Sequence, residues 1–246
     1  MIATQILSGG TYGEGATISI SGANTKNTTT PGWTADFDWA GFTVSIHAST
    51  GIGLYDILVD GEPVVLNMPY NPAANTTEVA AYFPIHVPAG AAITVASQTT
   101  VSGRTFKMAI AAHGYAPGQE RSFAGAECFT ANAATSLGAA ATAVLDGSTM
   151  TEIVSATTRA YRALGFQAME ASVATSTSLS VGLFMGGSGA EFELARSVST
   201  GSTLNPRNRF IPKFVPGGAP AGSRFACRGN SSNTADTVYP GIIGFH

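Results

Sequence analysis

Two stretches of the chain spell nearly the same unusual phrase. Tyr82 to Ala96 reads YFPIHVPAGAAITVA, and Arg209 to Arg228 reads RFIPKFVPGGAPAGSRFACR. Around them runs a longer ordered series of matches. Gly41-Phe42 aligns with Gly165-Phe166 at an offset of 124, which also carries Phe37 onto Tyr161 and Thr25 onto Thr149. Ile57-Leu-Val-Asp-Gly61 falls near Gly182-Leu-Phe-Met-Gly186 at 125. Pro84 and Val87-Pro88 meet Pro212 and Val215-Pro216 at 128, and Pro88-Ala-Gly90 meets Pro220-Ala-Gly222 at 132. Offsets that grow slowly while the signals keep their order are what duplication followed by small loop insertions produces. A period near 125 is too long for a solenoid or propeller repeat and fits whole domains.

Strand signals dominate the sequence. Ala16-Thr-Ile-Ser-Ile-Ser-Gly, Gly41-Phe-Thr-Val-Ser-Ile-His and Ala91-Ala-Ile-Thr-Val-Ala alternate with period two. Leu54-Tyr-Asp-Ile-Leu-Val followed by Asp60-Gly61 predicts a strand entering a tight hairpin. The segment from Met150 to Leu164 has apolar residues at mixed spacings and a Thr157-Thr158 pair, so it is read as extended rather than helical. Proline cannot donate to a sheet ladder, which places Pro84 and Pro88 at strand starts, bulges or an edge. Pro88-Ala-Gly90 then reads as a turn delivering the chain into its next strand. The expected fold is all-β: two tandem jelly-roll-like β-sandwich domains related by internal duplication. Residues 1–116 form the first, with 1–22 as a possible docking arm. Residues 117–126 form a linker, and 127–246 the second sandwich.

Composition narrows the function. Only 11% of residues are charged, against about 25% in an ordinary domain. Residues 1–118 hold three basic and seven acidic side chains and residues 119–246 hold nine and eight, so neither half carries the basic stripe of a nucleic-acid binder. Nothing reads as a membrane span, and the N-terminal residues lack the pattern of a classical signal peptide. The two cysteines, Cys128 and Cys227, could pair, but they make no disulfide framework and are expected to be free and buried.

Catalytic and metal patterns are largely missing. The four histidines (His47, His86, His113, His246) are far apart without paired metal spacing. Ser188 lies outside the register of a nucleophile elbow. No cofactor is expected. Asp36 and Asp38 share a strand face; solvated carboxylates, a calcium site and a glycosidase pair are the alternatives. Trp33 and Trp39 bracket them in Trp33-Thr-Ala-Asp-Phe-Asp-Trp39, and an indole beside carboxylates suits a sugar ring. The competing expectation is that both indoles fill the core. Tyr55 and Tyr70, with Asn67 and Asn71, are further loop-side candidates for sugar contact. In the second copy Arg207, Arg209, Lys213, Arg224 and Arg228 fall within 22 residues. Arginine forks suit carboxylates, so an acidic polysaccharide or acidic protein surface is a plausible partner for Arg224 and Arg228, against a solvated edge strand guarded by charge.

The phrase PxxVPAGxxIxxA, seen in Phe83-Pro-Ile-His-Val-Pro-Ala-Gly and again in Pro220-Ala-Gly-Ser-Arg-Phe-Ala-Cys-Arg228, resembles a module in virion proteins of tailed phages. It is also similar to the head-spike proteins of gene transfer agents, the phage-derived particles of some α-proteobacteria. The first copy departs from that pattern with Val95-Ala96 where an arginine is expected. The resemblance implies a non-enzymatic head-spike or fibre component. Assembled in the bacterial cytoplasm and carried on the particle surface, it would contact capsid or spike subunits, form a homo-oligomer, and attach to cell-surface polysaccharide. The alternatives are a decoration or adaptor protein docked through residues 1–22, and a capsule depolymerase using Asp36 or Asp38.

Overall fold

Asp60 and Gly61 make the two-residue turn that the sequence predicts. Val59 pairs with Glu62 across it, and both turn residues take positive φ, 50° and 88°, the combination that matches the twist of a β-hairpin. The computed structural model describes residues 2–9, 15–20, 25–48, 53–70, 78–99, 103–119, 122–129, 143–172, 178–200, 213–215, 217–233 and 236–246. They are organised as two compact units, one reaching Glu127 and the other beginning at Cys128.

In the first unit the strands are β1 Thr4–Leu7, β2 Ala16–Ile20, β3 Asn27–Thr34, β4 Trp39–Ala48, β5 Gly53–Val59, β6 Glu62–Tyr70, β7 Glu78–Phe83, β8 Ala92–Thr99 and β9 Arg104–Gly114, followed by β10 Ala126–Cys128 at the boundary. One sheet runs β7-β4-β9 with β1 and β2 both on the far side of β9; the other runs β6-β5-β8-β3. The second unit holds β11 Ala143–Val144, β12 Thr151–Val154, β13 Ala163–Ser172, β14 Ser178–Met185, β15 Phe192–Thr200, β16 Lys213–Val215, β17 Phe225–Ser231 and β18 Thr237–Phe245. Its sheets are β16-β13-β18-β11 and β15-β14-β17-β12. In both units the chain crosses between sheets so that each sheet has the strand order of a jelly roll. The segment 150–164 contains β12 and no helix.

The two units repeat each other pair for pair. Partners β3–β8, β4–β7, β4–β9, β5–β6 and β5–β8 recur as β12–β17, β13–β16, β13–β18, β14–β15 and β14–β17, all antiparallel. At the centre of the sheet the match extends to single residues: Asp56 faces Ala96 as Gly182 faces Arg228. The Asp60 N–H donates to the Ala92 carbonyl as the Gly186 N–H does to Arg224. This register sets the β5 offset at 126, one more than the sequence alignment suggests.

The repeated phrase is a corner. The Ala91 N–H closes a turn on the Pro88 carbonyl, and the Gly90 N–H donates to Ala35. The Ser223 N–H closes the same turn on Pro220, and Gly222 donates to Thr157. Gly90 and Gly222 have φ of 82° and 83°, a conformation only glycine adopts without strain. Each corner also bridges to the strand start opposite, Val87 with Trp39 and Ala219 with Tyr161. Val87 therefore corresponds to Ala219, not Val215, and Trp39, not Phe37, corresponds to Tyr161. Pro212 and Pro216 lie outside the described residues.

Alternate residues of each strand fill the interior. In the second unit Leu179, Val181 and Leu183 of β14 join Phe225 and Cys227 of β17 against Leu164, Phe166 and Ile242 of the facing sheet. In the first, Tyr70 of β6 meets Phe106 of β9 across the sandwich at 5.0 Å. A chain of rings, Trp39 to Phe42 to Phe83, has successive centroids 5.6 Å apart, each contact adding about 1 kcal/mol beyond simple burial. Cys128 and Cys227 are free and buried, as expected.

Two boundary expectations change. The described part of the N-terminal segment is not an arm: Thr4–Leu7 pairs with residues 110–113 of β9 and Ala16–Ile20 with residues 104–108, completing the sheet. Nor is 117–126 simply a linker. Phe123 exchanges backbone bonds with Pro84 and His86, the Ser122 hydroxyl donates to the Ala40 carbonyl, and Ala126 runs parallel beside Val65. These contacts hold 122–127 to the first unit.

Gly90→Ala and Gly222→Ala meet no atom within 4 Å of the added carbon, so only the backbone conformation opposes them. Each is expected to lower stability by about 1 kcal/mol, and equally in the two units. Urea unfolding of the two single variants and the double checks this.

Candidate functional site

The aromatic-acidic strand of the sequence reading is not one strand. The chain bends at Asp36-Phe37, so Trp33 closes β3 in one sheet and Trp39 opens β4 in the other. The period-two argument for a shared face fails at that bend. Trp39 is fully buried and Trp33 nearly so. The Trp39 indole N–H donates to Gln5 Oε1 at 3.0 Å, the Asp36 backbone N–H donates to the same oxygen, and Gln5 Nε2 donates to the Thr34 carbonyl. One glutamine thus ties Thr34, Asp36 and the Trp39 indole together at the β3–β4 corner. Asp38 Oδ1 accepts from the Ala89 N–H at 2.8 Å and braces the Pro-Ala-Gly turn, while Asp36 is exposed.

Tyr55 and Tyr70 are also interior residues, not loop-side ones, with ring centroids 6.3 Å apart. Burial pushes both hydroxyls well above the ordinary tyrosine range. None of Trp39, Tyr55 and Tyr70 presents a face to a sugar. Asn67, another candidate, has positive φ at a bulge opposite Asp56. Its N–H donates to Asp56 Oδ1, and Lys26 Nζ lies 2.5 Å from Asp56 Oδ2 and 2.7 Å from Asn67 Oδ1. Asn71, Arg207 and Arg209 lie outside the described residues.

The second copy is different. Leu179, Val181 and Leu183 of β14 point into the core, so Ser180, Gly182 and Phe184 face outward. Across the strands, Gly182 is flanked by Arg228 on β17 and Arg196 on β15, and Phe184 by Ala226 and Glu193. A carbon added at Gly182 would stand 2.9 Å from the Phe184 ring and 3.3 Å from Glu193 Oε1. The bare backbone therefore lets the ring and the carboxylate close over the strand. Arg228 lays its guanidinium on Phe184, 5.1 Å from the ring centroid, a cation–π geometry. Ser180, Asn230 and the exposed Val198 extend the same face one row further.

The two sequence-predicted arginines divide in role. Arg224 is a strut: Nε donates to Glu152 Oε2 at 2.6 Å, and Nη1 donates to Glu191 Oε1 at 2.8 Å and to the Gly186 carbonyl. Its own backbone N–H and Arg224 hold the Glu191 carboxyl below the usual range. Arg196 makes a bidentate fork with Glu193, 2.7 and 2.6 Å, and donates to Ser180 Oγ. Arg228 has no carboxylate or hydrogen-bond partner among the described residues, only the ring beneath it. Phe184, Glu193 and Arg196 were not read as candidates. Their signal was the register opposite Gly182, invisible until strands are paired.

No protein-family model and no curated protein sequence matches the chain. Among solved structures it is similar to PNGF-II, at 8% identity and a TM-score of 0.44, covering 99% of this chain and 64% of that one. It is also similar to the N-terminal CBM22-1–CBM22-2 tandem domain of Paenibacillus barcinonensis Xyn10C, at 9% identity and a TM-score of 0.26, covering 99% and 91%. Tripeptidyl peptidase 2 is matched at 8% identity with a TM-score of 0.29 over 23% of its length. The chain thus spans less than two-thirds of PNGF-II.

Burial also raises the Cys227 thiol from an ordinary 9.0 to about 12. A group whose folded pKa is raised favours the fold fully below its unfolded value, and that contribution is lost as pH rises through the folded one. Stability is therefore expected to fall progressively from pH 9.0 towards 12, with Tyr55 and Tyr70 adding to the loss. Urea midpoints measured across that range check it; a flat profile contradicts it.

Proposed function

We propose that this chain is a non-catalytic surface component of a phage-like particle that binds host cell-surface polysaccharide through the outer face of its second jelly roll. The supporting observation is the pair Arg228 and Phe184. A guanidinium centred 5.1 Å from the buried Phe184 ring, with no hydrogen-bond partner for it among the described residues, offers charge-assisted hydrogen bonds on the outer face. Sugar hydroxyls and carboxylates accept such bonds, and the exposed Val198 offers an apolar contact to a sugar C–H face. Ser180, Asn230 and Val198 lengthen the surface along the strands, as an extended chain ligand requires. The particle assignment rests on the recurring Pro-Ala-Gly phrase and its neighbours.

The competing readings lose their named parts. An adaptor docking through residues 1–22 would have to release strands that complete the first jelly roll. A depolymerase built on Asp36 and Asp38 would use one carboxylate that braces a corner turn. A single arginine-centred contact is expected to bind at about millimolar strength, near −4 kcal/mol. Several copies on one particle then supply avidity. A glycan array probed with the multimerised protein is expected to retain capsule-type polysaccharides, with Arg228→Ala losing at least about tenfold at unchanged melting temperature. Absence of any glycan signal would reject the binding role. Failure to find the chain in purified particles would reject the particle role separately.

A further inference from the structure

Among the described residues, the outer face of β12, β14, β15 and β17 carries three glutamates, Glu152, Glu191 and Glu193, and three arginines, Arg196, Arg224 and Arg228, while Asp146 beside Asn230 is closed by its own turn. Arg224 serves two of the acids and Arg196 the third. Each of the three glutamates is matched before Arg228 is reached. The three glutamates equal the three arginines in number, yet Arg228 has no ion-pair partner among the described residues. Such a surface exerts little long-range pull on a polyanion, while at short range it still offers a planar donor fork to a single anion.

Arg228 does not stand alone. Its strand neighbour across β14 is Gly182, and Glu193 Oε1 lies 3.3 Å from where a carbon on Gly182 would be. An anion approaching the guanidinium over β14 therefore also approaches a carboxylate whose charge Arg196 already balances. One added negative charge is matched by Arg228 itself. A second is opposed by Glu193 at close range. Among the described residues, the first copy has no such site. Ala96 replaces the arginine and Asp56 the glycine, and that acid is closed by Lys26 and Asn67.

We infer that Arg228 takes one isolated carboxylate, as on a uronic-acid residue of an otherwise neutral sugar chain. Glu193 is then the specificity residue that turns away doubly charged groups. This rests on the polysaccharide reading above and names the ligand chemistry of the same face, with one site per chain.

The test follows the Nε–Hε resonance of Arg228, assigned by its disappearance in Arg228→Ala, during titration of the full chain with three small probes. Sodium glucuronate is expected to shift it saturably and glucose to leave it in place. Glucose 6-phosphate, doubly charged at neutral pH, is expected to bind roughly tenfold more weakly than glucuronate, the effect of one like charge close by. Glu193→Gln should erase that preference, and Arg228→Lys should lose the glucuronate response because an ammonium cannot form the stacked fork. Equal response to phosphate and glucuronate, an unchanged ratio in Glu193→Gln, or no saturable response to glucuronate overturns the inference. Array binding of neutral glycans that survives Arg228→Ala would overturn it while leaving the polysaccharide reading intact. An empty array with a glucuronate response at Arg228 would do the reverse.

Discussion

Each sheet of this protein sets one apolar face against its partner sheet, and everything else depends on that asymmetry. With side chains alternating every residue, a slip of one position would carry Leu179, Val181 and Leu183 outward and drive Gly182, Phe184 and their charged partners inward. The core thus holds the outer face in place. It holds Gly182 between two arginines as surely as it holds the leucines against the facing sheet. The corners add a second restraint: glycines at positive φ and prolines without N–H groups return each strand at a set length.

Within that frame the two copies have diverged where the frame allows. Their strand pairings agree throughout, and their corners agree hydrogen bond by hydrogen bond. The outer faces do not. The first copy inserts a bulge at Asn67 and closes Asp56 with Lys26. The second omits that bulge and sets Arg196 opposite Gly182. A change of one residue in register at one strand edge separates a sealed ion pair from an open guanidinium.

What was legible in the sequence was local. Asp60-Gly61, the Pro-Ala-Gly corners, the period-two strands and the ordered duplication were readable because each is written in neighbouring residues. The failures share one cause. Trp33 to Trp39 reads as a continuous strand, and nothing nearby announces that Gln5, about thirty residues earlier, accommodates a bend there. Tyr55 and Tyr70 have the look of surface aromatics only until their strands are paired into a sandwich. Arg224 and Arg228 could not be told apart, since Glu152, Glu191 and Phe184, which divide them, come from other strands. The drift in offset was seen, but its placement was off by one residue at β5 and by four at the corner, because chance identities outcompeted true register.

Tandem duplication of a β domain gives every strand two possible addresses. A β4 that paired with β18, or a β14 with β8, would satisfy the same ladder geometry, and such cross-assembly is a characteristic failure of repeated domains. Order of synthesis guards against it here. The last strand of the first jelly roll, β9, precedes every strand of the second, so the first domain can close before its twin leaves the ribosome. The bulge at Asn67 and the two-residue turn at Asp60-Gly61 further mark the first copy's central hairpin as unlike its counterpart. Features that distinguish the outer faces in the folded protein also keep the nascent chain from mistaking one half for the other.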